Sequence, residues 1–512
     1  MLEFATLADI PRVNAERFGD AVAITYDLED ISYSSFDSRS NQVANGLSDF
    51  GVRAEERIAI LNKNSATFFD ILFGCAKANA TLVTVNFRLA ESEVVFILDD
   101  SDATLLFLGS EFESLADNLS AALPNLKQII IVDDNNACRF AGWRDQFPRT
   151  APVATIDPKS AAVQMYTSGT TGNPKGVELS HRAMLNAASA GLDVWQFLFE
   201  PNSAVLGTMP LFHIAACNLC IAALVTGARA DIVRDASPAE LAHILPSKGT
   251  NLVPLPATVI HEMLRLPNIG DCDFGALKVM LIAGSGIAAT LLKEAAERFD
   301  CGFALSYGST EMCGGVTYLG PEFCHALAGE HLKSAGMLLA HSEIRIVGET
   351  GQDLLNGEVG EIVVRSNRLM TKYWNRPDAT CESLKDGWFY SGDAGYLDDD
   401  GLLYVVDRLK DMVISGGENI YPAEIEQVLH SHPSVEDVAV VGIPDPKWGE
   451  SLLAFIVLKS QCDPVPAEDF VAYLRPKLAG FKIPRRYEYV TSFPRNAMGK
   501  VLKRTLRQPY WA

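Results

Sequence analysis

A run of alternating hydroxyl and glycine residues at positions 166–177, YTSGTTGNPKGV, is the segment of this chain best suited to chemistry. Glycines let the backbone approach a ligand closely and turn its N–H groups toward phosphate oxygens. The Thr and Ser hydroxyls add donors, and Lys175 adds a positive charge. The spacing of a Walker A loop, G-x-x-x-x-G-K-[ST], is absent around Lys175. The run therefore indicates a phosphate-binding loop of another kind, with a mobile surface loop as the alternative for a bare Ser/Thr/Gly stretch.

A second polar string, YGSTE at positions 307–311, follows a predicted strand over 302–306. A carboxylate beside phosphate oxygens is the usual environment of Mg²⁺, which makes Glu311 a candidate metal ligand. A Thr–Glu pair taken alone would also suit the start of a helix, with the threonine as its cap. The pair by itself leaves both explanations open.

A third glycine-containing loop, Gly284-Ser285-Gly286, follows a predicted strand over 279–283. Together with Ala289 it has the G-x-G-x-x-A spacing of a dinucleotide-binding turn. The acidic residue expected about twenty positions later is missing, because that position falls near Ser306. Binding of NAD is therefore rejected.

The complete string at 166–177 resembles the phosphate-binding signature of the adenylate-forming superfamily. This superfamily includes acyl-CoA synthetases, firefly-type luciferases and peptide-synthetase adenylation domains. The other signatures of the superfamily follow in order, so the resemblance covers nearly all of the chain. It implies that ATP phosphates are bound by Thr167, Ser168, Gly169, Thr170, Thr171, Gly172 and Lys175.

The resemblance also gives roles to the middle of the chain. It implies that YGSTE is the second nucleotide motif, in which Thr310 would bind the α-phosphate and Glu311 would hold Mg²⁺ against the phosphates. An aromatic residue at the position of His213, in the string MPLFH, contacts the acid and gates access to CoA in the family; a satisfied core histidine is the alternative. The remaining nucleotide-site positions implied by the resemblance are Gly284, Ser306, Tyr307 and Gly308.

Two further motifs of the superfamily concern the ribose and the end of the N-terminal domain. Ser391-Gly392-Asp393 resembles the T-G-D motif, with a serine in place of the usual threonine, and implies that Asp393 takes the ribose hydroxyls. In the string DRLKD at 407–411, Arg408 would also reach the ribose and Lys410 occupies the hinge position. A solvated charge run would be the ordinary interpretation of that string in isolation.

The C-terminal part of the chain supplies the remaining implied residues. Residues 494–500 match the motif P-R-x-x-x-G-K, whose lysine, Lys500, would bridge acid and phosphate oxygens during adenylation. After a rotation about Lys410, a face carrying two glycines would line the pantetheine tunnel of CoA. The residues expected to contact CoA are Gly416, Gly417, Trp448 and Phe481.

Short apolar runs alternate with helical stretches over the first two thirds of the chain, for example the strand at 57–61 and the helix at 66–78. This alternation predicts an α/β fold with doubly wound parallel sheets covered on both faces. From about residue 342, short strands and turns predict a small β subdomain, which includes a hairpin turning at Asp400-Gly401. The predicted domains are an N-terminal domain over 1–407, a hinge at 408–411 and a small mobile α+β domain over 412–512.

Composition and charge limit the partners. The 512 residues carry a net charge of −21; the part from residue 408 onward has a net charge of +2, and the part before it −23. An acidic body of this kind repels phosphate backbones and anionic lipid heads, which argues against nucleic acid and membrane surfaces. The longest apolar run, at 214–228, is shorter than the ~20 residues of a membrane-spanning helix, so no integral membrane segment is expected.

Cysteine usage and the N-terminal residues favour a cytoplasmic protein. Ten cysteines are scattered without a disulfide framework. Cys217 and Cys220 form a C-x-x-C pair without a second ligand pair nearby, so we expect buried core thiols rather than a zinc site. The first twenty residues have neither the basic nor the apolar region of a secretion signal.

The predicted activity is that of an AMP-forming carboxylic acid:CoA ligase that uses ATP, Mg²⁺ and CoA and makes an acyl-adenylate first. A luciferase-like oxidase shares most of these motifs and is an alternative. A peptide-synthetase module would be followed by a carrier domain, which the sequence to residue 512 does not contain, and a non-enzymatic binding module is a remote option. A medium- to long-chain aliphatic or steroid-side-chain acid is the expected substrate, with aryl acids second, and a homodimer is the assembly considered.

Overall fold

The computed structural model describes residues 4–133, 139–167, 174–195, 200–282, 287, 289–321, 333–416, 418–460, 462, 465–495 and 501–511. Its Cα positions fall into two units. The first comprises Met1–Glu343 and Arg365–Phe389, and the second comprises Ile344–Val364 and Tyr390–Ala512. The hairpin that precedes residues 408–411 is thus grouped with the C-terminal residues, and the domain boundary predicted at 408–411 stays a prediction.

The first unit contains two large sheets, each built mostly from parallel strands. The first sheet has seven strands, and all neighbours but the last pair are parallel. In spatial order these strands are Gly302–Leu305, Val279–Ile282, Leu252–Leu255, Ala204–Gly207, Arg229–Ile232, Val22–Tyr26 and Glu29–Ser32. The strands Ala204–Gly207, Leu252–Leu255 and Val279–Ile282 are apolar and buried at every position, as expected where helices cover both faces of a parallel sheet.

The second sheet also has seven strands. Its last five strands are parallel, and an antiparallel pair extends it at one edge. In spatial order the strands are Lys372–Tyr373, Lys175–Ser180, Ala161–Thr167, Thr81–Thr84, Arg57–Leu61, Leu105–Gly109 and Gln128–Val132. A core cluster around Leu61, Val83 and Leu106 lies against this sheet.

Helices connect the parallel strands, as crossover connections require. Among the described residues, the α-helices of the first unit are Asp9–Phe18, Tyr33–Asp49, Thr67–Lys77, Glu91–Asp100, Ala116–Ala122, Arg139–Arg144, His181–Trp195, Ile214–Thr226, Pro238–Lys248, Ala257–Leu264, Ala289–Phe299 and Pro377–Ser383. Two of them come into close contact because Gly74 has no side chain. A Cβ atom there would lie 2.4 Å from Val43, so this glycine allows helices Tyr33–Asp49 and Thr67–Lys77 to pack closely.

The small β subdomain is present in the second unit. Its first four strands, in spatial order, are Ser342–Val347, Gly360–Ser366, Trp388–Leu397 and Leu384–Lys385. The fifth, Leu403–Arg408, pairs with Trp388–Leu397. These two paired strands form the predicted hairpin, and the Gly401 N–H donates to Asp398 O across its turn (3.1 Å). Gly401 has a φ of 80°, a conformation that favours glycine.

The remainder of the second unit is an α+β structure with its own sheet. The strands are Glu418–Ile420, Val413–Ser415, Gly449–Leu458, Val435–Asp445 and Arg486–Tyr489, and the helices are Pro422–His430, Ala467–Leu474 and Lys503–Arg507. The helix Ala467–Leu474 ends there because Pro476 has no N–H to donate to the carbonyl oxygen four residues earlier. The predicted fold class, parallel α/β sheets with a smaller α+β part, is confirmed.

The apolar segment at 214–228 forms the helix Ile214–Thr226, in which Cys217 and Cys220 are fully buried as predicted. None of the described helices is both long enough and apolar enough to cross a membrane. Over the same residues no cluster of three or more His, Cys, Asp or Glu side chains could hold a metal ion. The eight described cysteines are free thiols.

Candidate active site

Several predicted segments leave the same edge of the first sheet. Three of its parallel strands are Ala204–Gly207, Val279–Ile282 and Gly302–Leu305. Their carboxyl ends lead to the segments that carry His213, Gly284 and Ser306. Open α/β sheets bind their ligands outside the carboxyl ends of the strands. This edge of the sheet is therefore the place for a ligand; Gly284 itself lies outside the described residues, and its role stays a prediction.

The phosphate-loop candidate is a hairpin connection in the second sheet. The strands Ala161–Thr167 and Lys175–Ser180 are antiparallel, and Thr167 is the direct partner of Lys175. These two predicted residues therefore lie side by side where the hairpin closes. The five predicted residues between them, Ser168, Gly169, Thr170, Thr171 and Gly172, lie outside the described residues.

The YGSTE string forms a tight β-ribbon rather than a helix start. Gly308 pairs with Gly315 and Ser309 with Gly314, and the Cys313 N–H donates to Thr310 O (2.9 Å) to close the turn. A Cβ atom at Gly308 would lie 1.9 Å from Gly314 O, so only glycine fits there. The turn exposes parts of Thr310 and Glu311, which is the arrangement that ligand contact requires.

The ribbon is attached to the following chain by Thr317. The Ser306 hydroxyl donates to Thr317 O (2.8 Å), and the Tyr307 N–H donates to Thr317 Oγ1 (3.2 Å). Ser306 remains exposed and Tyr307 is half-buried. The predicted nucleotide-site residues 306–308 thus have fixed backbone positions at the sheet edge.

Lys175 and Glu311 are connected by Tyr373, which lies outside the motifs predicted from the sequence. The Tyr373 hydroxyl donates to Glu311 Oε1 (3.0 Å), and Lys175 Nζ lies 4.9 Å from the centroid of the same ring. The structure therefore brings together the lysine of the first motif and the carboxylate of the second. Tyr373 belongs to the run KYWNRP at 372–377, and no local pattern in that run signalled its contacts.

The loop that carries His213 is fixed by side chains next to the second sheet. The Asn64 amide donates to Met209 O (3.0 Å) and accepts from the Leu211 N–H (2.8 Å), and the Thr84 hydroxyl donates to Phe212 O (3.2 Å). His213 then directly precedes the helix Ile214–Thr226. Its ring stacks at a tilt on Phe212, with centroids 4.2 Å apart.

The helix that follows His213 contacts the ribbon. Asn218 donates through Nδ2 to Cys313 O (2.7 Å), so the segments of His213 and Glu311 belong to one site. Gly314 and Gly315 have little free space on the sides that their Cβ atoms would occupy. A Cβ atom would meet Asn218 Nδ2 at 3.1 Å and Ser306 Oγ at 2.1 Å, respectively, so these glycines permit close contacts.

A buried arginine supports the ribbon from another side. Arg368 is 1% exposed and donates to Gly315 O (3.0 Å) and to Ser366 Oγ (3.2 Å). Burial lowers the pKa of this guanidinium. No charge pattern in the sequence reveals Arg368, because its partners are backbone and hydroxyl oxygens.

In the second unit, Asp393 and Arg408 are direct cross-strand partners of the hairpin. Arg408 Nε lies 2.7 Å from Asp393 Oδ1, and the aspartate is 6% exposed. The Asp393 N–H also donates to Ser391 Oγ (3.0 Å), and that hydroxyl donates to Ile362 O (2.6 Å). The serine that replaces the usual threonine therefore still performs a structural role through its hydroxyl.

Two of the residues predicted to contact CoA, Gly416 and Trp448, contact each other in the second unit. The Gly416 N–H donates to Trp448 O (2.8 Å), and a Cβ atom at Gly416 would lie 2.7 Å from the Trp448 ring. Arg485 lies over the same ring at 4.7 Å, and Lys447 at 4.5 Å. Phe481 is 44% exposed beside Lys482.

Lys410 is exposed in the 3₁₀ turn Leu409–Asp411. Gly417 and Lys500 lie outside the described residues, so their predicted roles rest on the sequence. The next described residues on either side of Lys500 are Arg495 and Val501, which form an antiparallel bridge.

Two family models match the chain. The model described as AMP-binding enzyme matches residues 11–374, and the model described as AMP-binding enzyme C-terminal domain matches residues 424–500. The chain belongs to the AMP-binding enzyme family. The predicted superfamily is thereby confirmed, and this AMP-binding enzyme is an acid–thiol ligase that forms AMP and uses ATP, Mg²⁺ and CoA.

Similar proteins cover the whole AMP-binding enzyme. A fatty acid–[acyl-carrier-protein] ligase of Streptomyces coeruleorubidus is 36% identical over 99% of this chain and 97% of its own length. A feruloyl-CoA synthase of Amycolatopsis sp is 34% identical over 96% of both chains. The structure of o-succinylbenzoate CoA synthetase from Bacillus subtilis with its acyl-adenylate intermediate has a TM-score of 0.86, with 30% identity over 97% of both chains.

The first unit of the AMP-binding enzyme has a donor set that suits Mg²⁺. Magnesium is usually held by one or two carboxylates together with substrate phosphates and water, rather than by a cage of protein ligands. Within the described ranges Glu311 has no salt bridge to a cation, and Tyr373 contacts one of its two oxygens. Glu311 therefore fits a metal that is held mainly by ATP phosphates.

The neutral state of His213 gives a pH prediction for the AMP-binding enzyme. Burial, and then the charge of Arg88, lower the pKa of His213 to about 3, and its Nε2 is inaccessible and has no hydrogen-bond partner among the described residues. The unfolded chain takes up a proton below about pH 6.5, whereas the folded chain does not do so until about pH 3. The neutral His213 side chain therefore makes its full contribution to folding stability above about pH 6.5, the pKa of histidine in the unfolded chain. This contribution falls as the pH decreases toward 3, with a limiting slope of about 1.4 kcal/mol per pH unit.

We expect the unchanged enzyme to lose stability when the pH is lowered from 7.5 to 5.5, as measured by thermal unfolding. For His213→Gln this loss should be smaller by about 1 kcal/mol. His430→Gln is the matched control, because that histidine is exposed at the end of helix Pro422–His430. An equal loss for His213→Gln and the unchanged enzyme would contradict the prediction.

Proposed function

We propose that this ligase activates a medium- to long-chain aliphatic or steroid-side-chain acid as its acyl-adenylate, and transfers the acyl group to CoA in the cytoplasm. The observation that carries the adenylation step is the contact of Tyr373 with both Lys175 and Glu311. Because one side chain touches both groups, the ammonium and the carboxylate act on the same triphosphate.

In the first half-reaction an oxygen of the substrate carboxylate attacks the α-phosphorus of ATP. The bond to the bridging oxygen breaks, and pyrophosphate leaves with the electron pair. Two anions must approach each other, so fixed positive charge and hydrogen-bond donors lower the barrier. Lys175, the Thr167 and Thr310 hydroxyls and the loop 168–172 supply these groups in this proposal.

Bound magnesium neutralises charge that develops on the phosphate oxygens. In this proposal Glu311 orients that ion. On the second unit, Asp393 takes the ribose hydroxyls, and Arg408 makes a salt bridge with this aspartate at 2.7 Å. The Arg408 side chain is about one-third exposed, which leaves part of the guanidinium available to the ribose.

In the second half-reaction the CoA thiolate attacks the acyl carbon, and AMP leaves. Lys500 serves the first half-reaction in this proposal, because its ammonium bridges the acid and the α-phosphate. Gly416, Gly417 and Trp448 serve the second half-reaction by lining the path of the pantetheine chain. The close contact of Gly416 with the Trp448 ring supports this division, since any side chain at Gly416 would displace the ring.

The proposal of an aliphatic acid is supported by the 36% identity to a ligase whose name states fatty acid. The helix after His213 adds support, because most of its side chains are apolar and buried. His213 lies at the start of that helix, where it contacts the acid in this proposal. The neutral imidazole avoids a permanent charge next to an apolar substrate.

We expect kcat/KM to increase with acid chain length from acetate to long-chain acids. Each buried methylene contributes up to ~0.8 kcal/mol, roughly fourfold in kcat/KM, until the pocket is filled. The measurement is acid-dependent release of pyrophosphate, with CoA-dependent release of AMP as the second readout. A flat or falling trend with length would contradict an aliphatic substrate and point to a small or polar acid.

An aryl acid with a polar substituent is the second candidate. Asn218 Oδ1 and Ser309 Oγ are both buried and have no hydrogen-bond partner in the described part of the chain. Ser309 is the cross-strand partner of Gly314, whose Cβ position faces Asn218, so both atoms lie on one side of the ribbon. A substrate hydroxyl could donate to the amide oxygen and accept from the serine.

The 34% identity to a feruloyl-CoA synthase supports the same candidate. Adding ferulate and unsubstituted cinnamate to the acid series separates the two classes of substrate. A preference for ferulate over both cinnamate and the long-chain acids would replace the aliphatic proposal. Light emission with oxygen and luciferin, in place of CoA-dependent release of AMP, would revive the oxidase alternative.

The cytoplasmic location is supported by the free cysteines. A homodimer remains a proposal for the assembly, and sedimentation of the purified chain tests it. A single species at the mass of the monomer over a wide concentration range would contradict the dimer.

A further inference from the structure

A buried tyrosine touches the two opposite charges of the phosphate site. Tyr373 is 6% exposed, whereas Lys175 and Glu311 are both partly accessible. The Tyr373 hydroxyl lies 3.0 Å from Glu311 Oε1, and the Lys175 ammonium lies 4.9 Å from the ring centroid. A carboxylate only accepts hydrogen bonds, so the hydroxyl must be the donor.

The backbone around Tyr373 is attached to both motifs. The Met370 N–H donates to Glu311 O (2.7 Å), and the Trp374 N–H donates to Gly176 O (2.7 Å), one residue after Lys175. The strand Lys372–Tyr373 pairs with residues 177–178. Residues 370–374 therefore join the two motifs through the main chain, and Tyr373 lies in the middle of this connection.

The residues on either side of Tyr373 in the chain, Lys372 and Trp374, make a separate set of contacts. The Arg57 guanidinium lies 3.4 Å from the centroid of the Trp374 ring and makes a buried salt bridge with Glu178 at 2.7 Å. Lys372 approaches the same glutamate at 3.8 Å. None of these groups contacts Glu311 or Lys175 in the described residues. They hold the strand in place, so Tyr373 presents its side chain to the phosphate site from a fixed backbone.

We propose that Tyr373 is a positioning residue for magnesium–ATP, with separate roles for its hydroxyl and its ring. The hydroxyl holds one oxygen of Glu311, which turns the second oxygen toward the metal. The ring face holds the Lys175 ammonium by a cation–π interaction, which directs that charge toward the phosphates. This inference rests on the proposed role of Glu311 as the protein ligand of magnesium.

Hydrogen-bond partners of metal-binding carboxylates orient the ligand, and their loss typically costs about 10- to 100-fold in metal affinity or activity. Tyr373→Phe removes the hydroxyl and keeps the ring. We therefore expect the Mg²⁺ concentration for half-maximal pyrophosphate release to rise about 10-fold, with the KM for the acid unchanged. Tyr373→Leu removes both groups, so ATP affinity should also fall in the absence of metal.

The decisive measurement is equilibrium binding of ATP by calorimetry without acid, once in EDTA and once with saturating Mg²⁺. Mg²⁺ should increase the ATP affinity of the unchanged enzyme. In Tyr373→Phe the factor of this increase should be about 10-fold smaller. The affinity of this variant for ATP in EDTA should stay the same. Lys159→Met is the control, because it removes an exposed charge of the first unit that contacts neither Tyr373 nor Glu311 in the described residues.

A double-mutant cycle with Glu311→Gln separates the possible failures. If Glu311→Gln leaves the Mg²⁺ effect on ATP binding unchanged, the assignment of Glu311 as metal ligand is wrong. If Glu311→Gln abolishes the effect but Tyr373→Phe leaves it intact, only the role of Tyr373 is wrong. The proposal holds if each variant reduces the effect and adding Tyr373→Phe to Glu311→Gln reduces it no further. Thermal unfolding of Tyr33→Phe, which removes the buried hydrogen bond to Ala228 O (2.7 Å), reports the cost of losing a tyrosine hydroxyl elsewhere.

Discussion

Glu311→Gln is expected to reduce adenylate formation by about 100-fold or more, with the fold intact. Glutamine has nearly the same shape as glutamate and can still accept the hydrogen bond from the Tyr373 hydroxyl through its amide oxygen. What it loses is the negative charge that attracts Mg²⁺. A factor of 100 corresponds to about 2.7 kcal/mol of transition-state stabilisation. The measurement is single-turnover release of pyrophosphate from ATP and acid.

Two comparisons make this result specific. Glu262→Gln, at an exposed carboxylate in the helix Ala257–Leu264, changes the same charge in the first unit and should leave the rate unchanged. The half-reaction that joins supplied acyl-adenylate to CoA releases no pyrophosphate, so Glu311→Gln should affect it far less. Near-normal adenylation by folded Glu311→Gln would refute the assignment of this carboxylate.

The second large effect concerns two lysines with separate tasks. Lys500→Ala should reduce adenylate formation by about 100-fold or more, because it removes a cation placed between two anions. It should leave thioester formation from supplied acyl-adenylate largely unchanged. Lys410→Pro should have the opposite effect, since proline fixes φ near −65° and prevents the rotation that the family resemblance implies at this position.

Single-turnover assays with ATP plus acid, and then with preformed acyl-adenylate plus CoA, separate the two steps. Lys410→Ala is the control for the proline variant, because it removes the side chain and keeps the freedom of the backbone. Lys459→Ala is the control for Lys500→Ala; it removes an exposed ammonium that hydrogen-bonds Pro433 O in the same unit. If Lys500→Ala and Lys410→Pro lose both half-reactions in equal proportion, a static active site would be the better explanation.

The regular elements could largely be predicted from local patterns. The strand predicted at 57–61 has these same bounds in the structure, and the helix predicted at 66–78 is present as Thr67–Lys77. Both signals are local, because an apolar run between turn residues, or a 3.6-residue periodicity, does not depend on distant residues.

The short ribbon of YGSTE could not be predicted in this way. A Thr–Glu pair suits a helix start, whereas the structure pairs residues 308–309 with residues 314–315. Local propensity does not decide between the two, since each is determined by what packs against the segment. Here Arg368 and Asn218, which lie far from the ribbon in sequence, hydrogen-bond to it or to its turn.

The sequence by itself determined the family, the order of the motifs and the residues that carry charge and hydroxyl groups toward phosphate. These features are written in contiguous strings, so they require no knowledge of long-range contacts. Only the tertiary structure decided which of these strings lie together. Glu311 and Tyr373 are 62 positions apart and meet in one hydrogen bond, and Lys175 is almost 200 positions from the ring that it contacts. Contacts over such separations arise from the order of strands in a sheet, which no single segment of sequence encodes.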